Sequence, residues 1–252
     1  MIPHSKPLLD EHDIAAVDSV LESGMLTSGD TVRAFESAVC SFLGRRHAAA
    51  VSSGTAALYT VLSALGAGRG GEIVIPSYAC SSLLYAVRLT GAKPVVADSG
   101  EDPFHCDAAS VGRILSGKTK AVVFPHLFGS AVDIAGIVAL GVPVIEDCAM
   151  SLGSKRRGTM SGGLGSAAAI LSFYTTKVIA AGEGGMVVSD DARLVEKVRD
   201  MADYADKVDD SMRFNFTMTD LAAALGLSQL GKIESLIDRR RMLARRYTDA
   251  LA

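Results

Sequence analysis

The side chains with the most chemical promise lie far apart in the chain. Lys177 sits in SFYTTKVIAAGEGG (172–185), between two β-rich runs and just ahead of a glycine cluster. A lysine held at a strand end, desolvated or beside another cation, keeps part of its amine unprotonated and can form an imine. Asp147 closes the apolar run VPVIED (142–147). A carboxylate ending a buried strand is driven toward neutrality unless a cation holds it charged, and a protonated pyridine nitrogen is such a cation. VSSGTAAL (51–58) combines a strand end, a glycine turn and a helix start with Thr55 in its first turn. Unpaired N–H groups and the positive end of the helix dipole point out of a turn of this kind, so it can cradle a phosphate, with Ser53, Gly54 and Thr55 as the candidate contacts. Amine, ring-nitrogen partner and phosphate cradle are together the three anchors of pyridoxal 5′-phosphate.

Positioning them requires an α/β sheet. From about residue 48, short apolar runs alternate with helix-like stretches: AAAVS, EIVIP, PVVAD, KAVVFP and VPVIED, with TAALYTVLSAL, SSLLYAVRLTGA, DAASVGRIL and DIAGIVAL between them. This rhythm builds a mostly parallel sheet with helices on both faces, and right-handed crossovers bring the strand C-termini to one edge. GEGG between AAILSF and MVVSD suggests a tight return, which makes the last strand antiparallel to the others and Lys177 a residue of the connection. In the C-terminal segment, Ile233, Leu236, Ile237, Leu243, Tyr247 and Leu251 recur at helical spacing and predict one apolar face, with Arg239, Arg240, Arg241, Arg245 and Arg246 on the polar side.

Composition narrows the alternatives. The 252 residues carry a net charge of −3, without the basic excess of a general nucleic-acid binder. Apolar runs are too short to cross a bilayer, and MIPHSKPLLDEHD lacks the apolar stretch of a signal peptide, so a cytoplasmic protein with no membrane partner is expected. Cys40, Cys80, Cys106 and Cys148 form no CxxC pair and the five histidines no HExxH, so neither a metal site nor a disulfide framework is expected, and the thiols read as buried and free. No GxxxxGK[ST] occurs, and GGLGSA (162–167) falls too late in the sheet for a dinucleotide turn.

Six segments, in order along almost the whole chain, resemble the DegT/DnrJ/EryC1/StrS family of pyridoxal-phosphate sugar aminotransferases. They are ESGMLTSGDTVRAFESAV, SSGTAAL, FPHLFGSAVDI, IEDCAMSLGS, SFYTTKVIAAGEGG and RFNFTMTDLAAALGLSQL. The resemblance implies the large domain of a type I pyridoxal-phosphate transferase, with a seven-stranded sheet, over residues 1–230, and a helix over 231–252 that leads to a small C-terminal domain which the chain is expected to lack. It implies that Lys177 carries the cofactor as an imine and that Asp147 partners the pyridine nitrogen. Gly54, Thr55 and Ser172 would hold the phosphate, and Asn215 would reach the phosphate of a neighbouring subunit, so a homodimer with shared sites is expected. The implied reaction moves an amino group from an amino acid such as glutamate to a nucleotide-linked keto-sugar.

The sequence departs from the family pattern at three positions in that site. Cys80 stands where an aromatic ring often stacks on the cofactor, Met150 where a glutamine is common beside the cofactor hydroxyl, and Thr217 where an arginine is common. A thiol offers less contact area than a ring, and a thioether is a weak acceptor. Two other functions stay open: a pyridoxal-phosphate sugar dehydratase, in which the family places a histidine at the lysine position, and a cofactor-binding partner subunit with little activity of its own.

Overall fold

A computed structural model describes residues 5–205 and 207–252; the first four residues of the opening segment lie outside them. Two helices, α1 (Glu11–Ser23) and α2 (Asp30–Leu43), precede the sheet. The βα units then follow in order: β1 (His47–Val51), α3 (Gly54–Ala64), β2 (Glu72–Pro76), α4 (Ser81–Leu89), β3 (Lys93–Ala97), α5 (Ala108–Gly112), β4 (Thr119–Pro125), α6 (Ala135–Val138) and β5 (Val144–Asp147). A small hairpin, β6 (Lys155–Arg156) with β7 (Thr159–Met160), leads to β8 (Ala168–Ser172) and β9 (Gly185–Ser189). Helices α7 (Ala192–Ala202), α8 (Asp220–Gly231) and α9 (Ile233–Leu251) complete the chain.

The main sheet has seven strands in the order β1-β9-β8-β5-β4-β2-β3. Only β9 runs antiparallel to its neighbours, pairing with β1 on one side and β8 on the other. The glycine cluster therefore does mark a reversal. The return is not a tight turn, however: residues 173–184 form a long connection, and this is the segment that carries Lys177. Lys177 is therefore a connection residue, as expected, on a connection longer than a tight turn.

Side-chain alternation gives the sheet two apolar faces. Ala49, Ile75, Val123, Ile145, Ile170 and Val187 pack under α3, α4 and α7, while Ala50, Leu171, Met186 and Val188 pack against Phe35, Val39 and the α8–α9 region. A third cluster places Val122, Phe124 and Val144 against α5 and α6. Burying each of the larger side chains among these is worth about 1.5–3 kcal/mol, so the interleaved faces fix the register of the strands.

The N-terminal helices are tied on by charge. Asp220 accepts the N–H groups of Gly29 and Val32, and Lys232 pairs with Asp10 and Asp13 of the α1 capping box. The apolar face expected for α9 is only half used. Ile233 and Leu236 are buried, but Tyr247 is 70% and Leu251 82% exposed. Helical periodicity reports a face, not what covers it. The thiols also differ from expectation: Cys106 and Cys148 are buried, Cys40 is half-buried and Cys80 is exposed.

Candidate active site

Because β1, β4, β5 and β8 run parallel, their C-terminal ends meet at one edge of the sheet. A cavity of about 340 Å³ opens there, lined by Ser53, Gly54, Thr55, Cys80, Asp147, Met150, Ser172 and Lys177. Residues separated by more than a hundred positions in sequence thus share one wall. Asn215 is not among them. It is exposed, on a segment whose flanking Phe214 and Phe216 stack at 4.8 Å and pack on Tyr59. The segment is pinned beside β1 by the Ser52 N–H donating to the Phe216 carbonyl at 2.7 Å.

The N-terminus of α3 forms one wall of the cavity. Ser53 caps the helix, its hydroxyl accepting the Ala56 N–H at 3.1 Å, so this oxygen is engaged locally. Among the described residues the N–H groups of Gly54 and Thr55 have no acceptor, as the first turn of a helix requires. Gly54 lies against β8: a Cβ there would sit 2.9 Å from that of Ser172. The glycine is what lets the Ser172 side chain and the helix start approach each other.

Asp147 is 7% exposed. Its Oδ1 accepts the Ala149 N–H at 2.9 Å, while among the described residues Oδ2 has no hydrogen-bond partner. Burial pushes its carboxyl above the usual range, opposed by the Ala149 N–H and by the charge of Lys177. A carboxylate oxygen without a hydrogen-bond partner on the cavity wall, beside a helix N-terminus with free N–H groups and a lysine, is a donor and acceptor set that a pyridinium, a phosphate and an aldehyde carbon would satisfy. The cavity therefore fits pyridoxal 5′-phosphate.

Lys177 is half-buried on the 173–184 connection. Its N–H donates to the Tyr174 carbonyl at 2.9 Å, and its own carbonyl accepts Nη2 of Arg240 at 2.9 Å. The backbone at this lysine is thus held from two sides, one of them α9.

His126 and Glu146 were not singled out from sequence. Both are fully buried, with His126 Nε2 at 2.8 Å from Glu146 Oε2. The Nδ1 lone pair takes the Val132 N–H at 3.2 Å, so Nε2 carries the proton and donates to Glu146. Glu146 also accepts from the Gly162 and Leu164 N–H groups and from the Ser166 hydroxyl. Cys148 lies near this pair, and the three could be read as a metal cluster. With these hydrogen bonds already satisfying the carboxylate, the group reads as a strut joining β4, β5 and the 162–166 loop behind Asp147. Its only trace in sequence is the placement of Glu146 next to Asp147, on the opposite face of the strand.

Burial acts to raise the Glu146 pKa, but the donors outweigh it and hold the carboxyl below its usual value of 4.5. A folded-state pKa below the unfolded one contributes stability that is present above about pH 4.5 and lost as pH falls through the folded value. Glu146→Gln is expected to cost about 1–3 kcal/mol at neutral pH by leaving buried donors mismatched. The difference from wild type should shrink toward acid pH in urea unfolding. Equal stability at pH 7 would show that the strut carries no load.

Comparison with known proteins agrees with this fold. An aminotransferase, TlmJ, from Streptoalloteichus hindustanus superposes with a TM-score of 0.93 at 32% identity, over 100% of this chain and 71% of that one. PseC of Helicobacter pylori, an aminotransferase involved in pseudoaminic acid biosynthesis, gives 0.90 at 30% identity, over 97% and 69%. A putative sugar aminotransferase of Streptococcus pneumoniae in its PLP form, at 24% identity, matches in fold with a TM-score of 0.91 over 98% and 71%. Fold and site together define a pyridoxal-phosphate-dependent aminotransferase. The profile of the DegT/DnrJ/EryC1/StrS aminotransferase family matches residues 7–252, and the chain belongs to that family. Among the described residues, no helix is long and apolar enough to cross a membrane.

Proposed function

We propose that this protein transfers an amino group from an amino acid, glutamate in the simplest reading, to the carbonyl of a nucleotide-linked keto-sugar. The observation that carries the proposal is the convergence of Lys177, Asp147 and the α3 N-terminus on one cavity. Pyridoxal 5′-phosphate supplies a carbon that takes up amines and a ring that accepts electrons. In our reading the residues of the chain do the rest. Gly54 and Thr55 hold the phosphate by their N–H groups, with Ser172 as a further donor. Asp147 keeps a proton on the ring nitrogen. Lys177 anchors the cofactor and moves a proton at the substrate carbon, as base and then as acid. Leu58, Pro125, Leu127 and Ile170 keep water from the reacting face, while Cys80 and Met150 make the softer contacts on its rim.

Asn215, exposed and not among the residues lining its own cavity, supports a homodimer in which it serves the partner's phosphate. We take residues 1–230 as the cofactor domain and 231–252 as a helix bridging to further structure. Lys177 argues against the dehydratase reading. Incubating cofactor-loaded protein with ¹⁵N-glutamate and a nucleotide-linked keto-sugar should place the label on the sugar. Deoxygenated sugar without label would favour dehydration, and cofactor binding with no product at all would favour a partner subunit.

A further inference from the structure

We infer that Arg240 is a positioning residue for Lys177, holding the lysine backbone where its amine meets the cofactor; this rests on the amino-transfer reading above. Arg240 is exposed on α9, and its Nη2 donates to the Lys177 carbonyl at 2.9 Å. A guanidinium on a carbonyl is a charge-assisted hydrogen bond, stronger than one between neutral groups. Among the described residues Arg240 has no ion-pair partner, so no carboxylate competes with that carbonyl, whereas the adjacent Arg241 reaches Asp238 at 3.4 Å.

The weight this bond carries follows from how the 173–184 connection is held. Its ends are closed by the Phe173 N–H donating to the Gly184 carbonyl at 2.9 Å and the Ala181 N–H donating to the Phe173 carbonyl at 2.8 Å. Ile179 and Ala181 are buried in one cluster with Leu152, Ile233 and Leu236. The stretch between is looser. The Lys177 N–H bonds to Tyr174, which belongs to the same connection. Among the described residues, Arg240 makes the only hydrogen bond that reaches the backbone of 175–178 from outside the connection. The lysine amine stands at the end of a long flexible stem, so a shift of about 1 Å at its base takes it away from a reactive approach.

Helix α9 also bears on the opposite wall of the cavity. Gly153 has a φ of 88°, and a Cβ there would run into Ile237, so the helix rests on the loop that follows Asp147. Ala149 and Met150 of that loop line the cofactor cavity. Arg240 therefore ties the lysine to the element that braces the carboxylate's loop, and fixes the amine relative to Asp147. Arg241 lines the same groove beside Lys177 and carries the same charge, but makes no bond to the lysine backbone. It serves as the internal control.

The test is stopped-flow absorption during capture of pyridoxal 5′-phosphate by cofactor-free protein. In this step the Lys177 amine adds to the cofactor aldehyde, water leaves and the visible band appears. At saturating cofactor, Arg240→Ala is expected to form the band about tenfold or more slowly. It should bind pyridoxamine 5′-phosphate, which has no aldehyde, with wild-type affinity. Hydrogen exchange at the Lys177 amide of the cofactor-free protein should be faster in Arg240→Ala. Arg241→Ala should match wild type in all three measurements. A wild-type capture rate or wild-type exchange in Arg240→Ala, an equal slowing in Arg241→Ala, or a parallel loss of pyridoxamine phosphate affinity would each overturn the inference. None of these measurements needs an amino donor or a sugar, so the readings fail separately. Label transfer by wild type with equal capture rates in both proteins removes the positioning role alone, and slowed capture in Arg240→Ala without label transfer by wild type removes the reaction alone.

Discussion

Lys177→Ala protein is expected to lose the visible absorption band of a covalently held cofactor and to transfer amino groups about 10²–10⁴-fold more slowly. The loss should be chemical, not structural. The Lys177 backbone is fixed by the Tyr174 carbonyl and the Arg240 guanidinium, both of which contact main-chain atoms that alanine retains. Circular dichroism and thermal unfolding should therefore match wild type. Lys177→Arg separates charge from covalency, because it keeps a cation beside Asp147 but cannot form the imine. It should lose the band as completely as alanine does. Persistence of the band in either variant would remove Lys177 from the chemistry and with it the proposed reaction.

Asp147→Asn should have the second-largest effect, lowering transfer about 10²–10³-fold by removing a preorganised charge opposite the ring nitrogen. The same substitution has an opposite effect on the cofactor-free protein. Burial raises the folded-state pKa of Asp147 above its unfolded value of 3.8. The native state therefore keeps its proton to higher pH than the unfolded chain, and stability falls as pH rises from about 3.8 through the folded value. Asparagine has nothing to ionise there and should abolish that fall. Cofactor-free Asp147→Asn is then expected to be at least as stable as wild type at pH 8, while binding the cofactor less well. A bound cation opposite Oδ2 would hold the wild-type carboxylate charged and reverse the penalty. Thermal unfolding at pH 4 and pH 8, with and without cofactor, reads both effects. The same pH trend in both proteins, or full activity of the variant, would show that Asp147 is not the carboxylate the ring depends on.

Much of the architecture was legible in the chain because it follows from local rules. Alternating apolar runs and helix-like stretches specify parallel βα units, and the VSSGTAAL pattern specifies a strand ending in a capped helix start. Asp147 could be placed at a strand end for the same reason, and Lys177 on the connection before the last strand. What the local pattern could not supply was distance. GEGG indicated a change of direction for β9 but not the length of the connection, because a glycine cluster permits a turn without fixing where the neighbouring strand begins. Apolar spacing along α9 predicted one continuous face, yet only Ile233, Leu236 and Ile237 find partners.

By itself, the sequence determined which groups are available: an amine, a carboxylate, a glycine turn and their order along an α/β sheet. Tertiary structure alone decided which of them meet. The cavity wall leaves Asp147 Oδ2 without a hydrogen-bond partner, and the His126–Glu146 strut forms between residues with no local signature. Packing of α9 on Gly153 turns ordinary surface arginines into one wall of a groove beside Lys177. The physical reason is that secondary structure follows from near-neighbour sterics and periodicity, whereas desolvation and charge proximity depend on contacts between residues far apart in the chain.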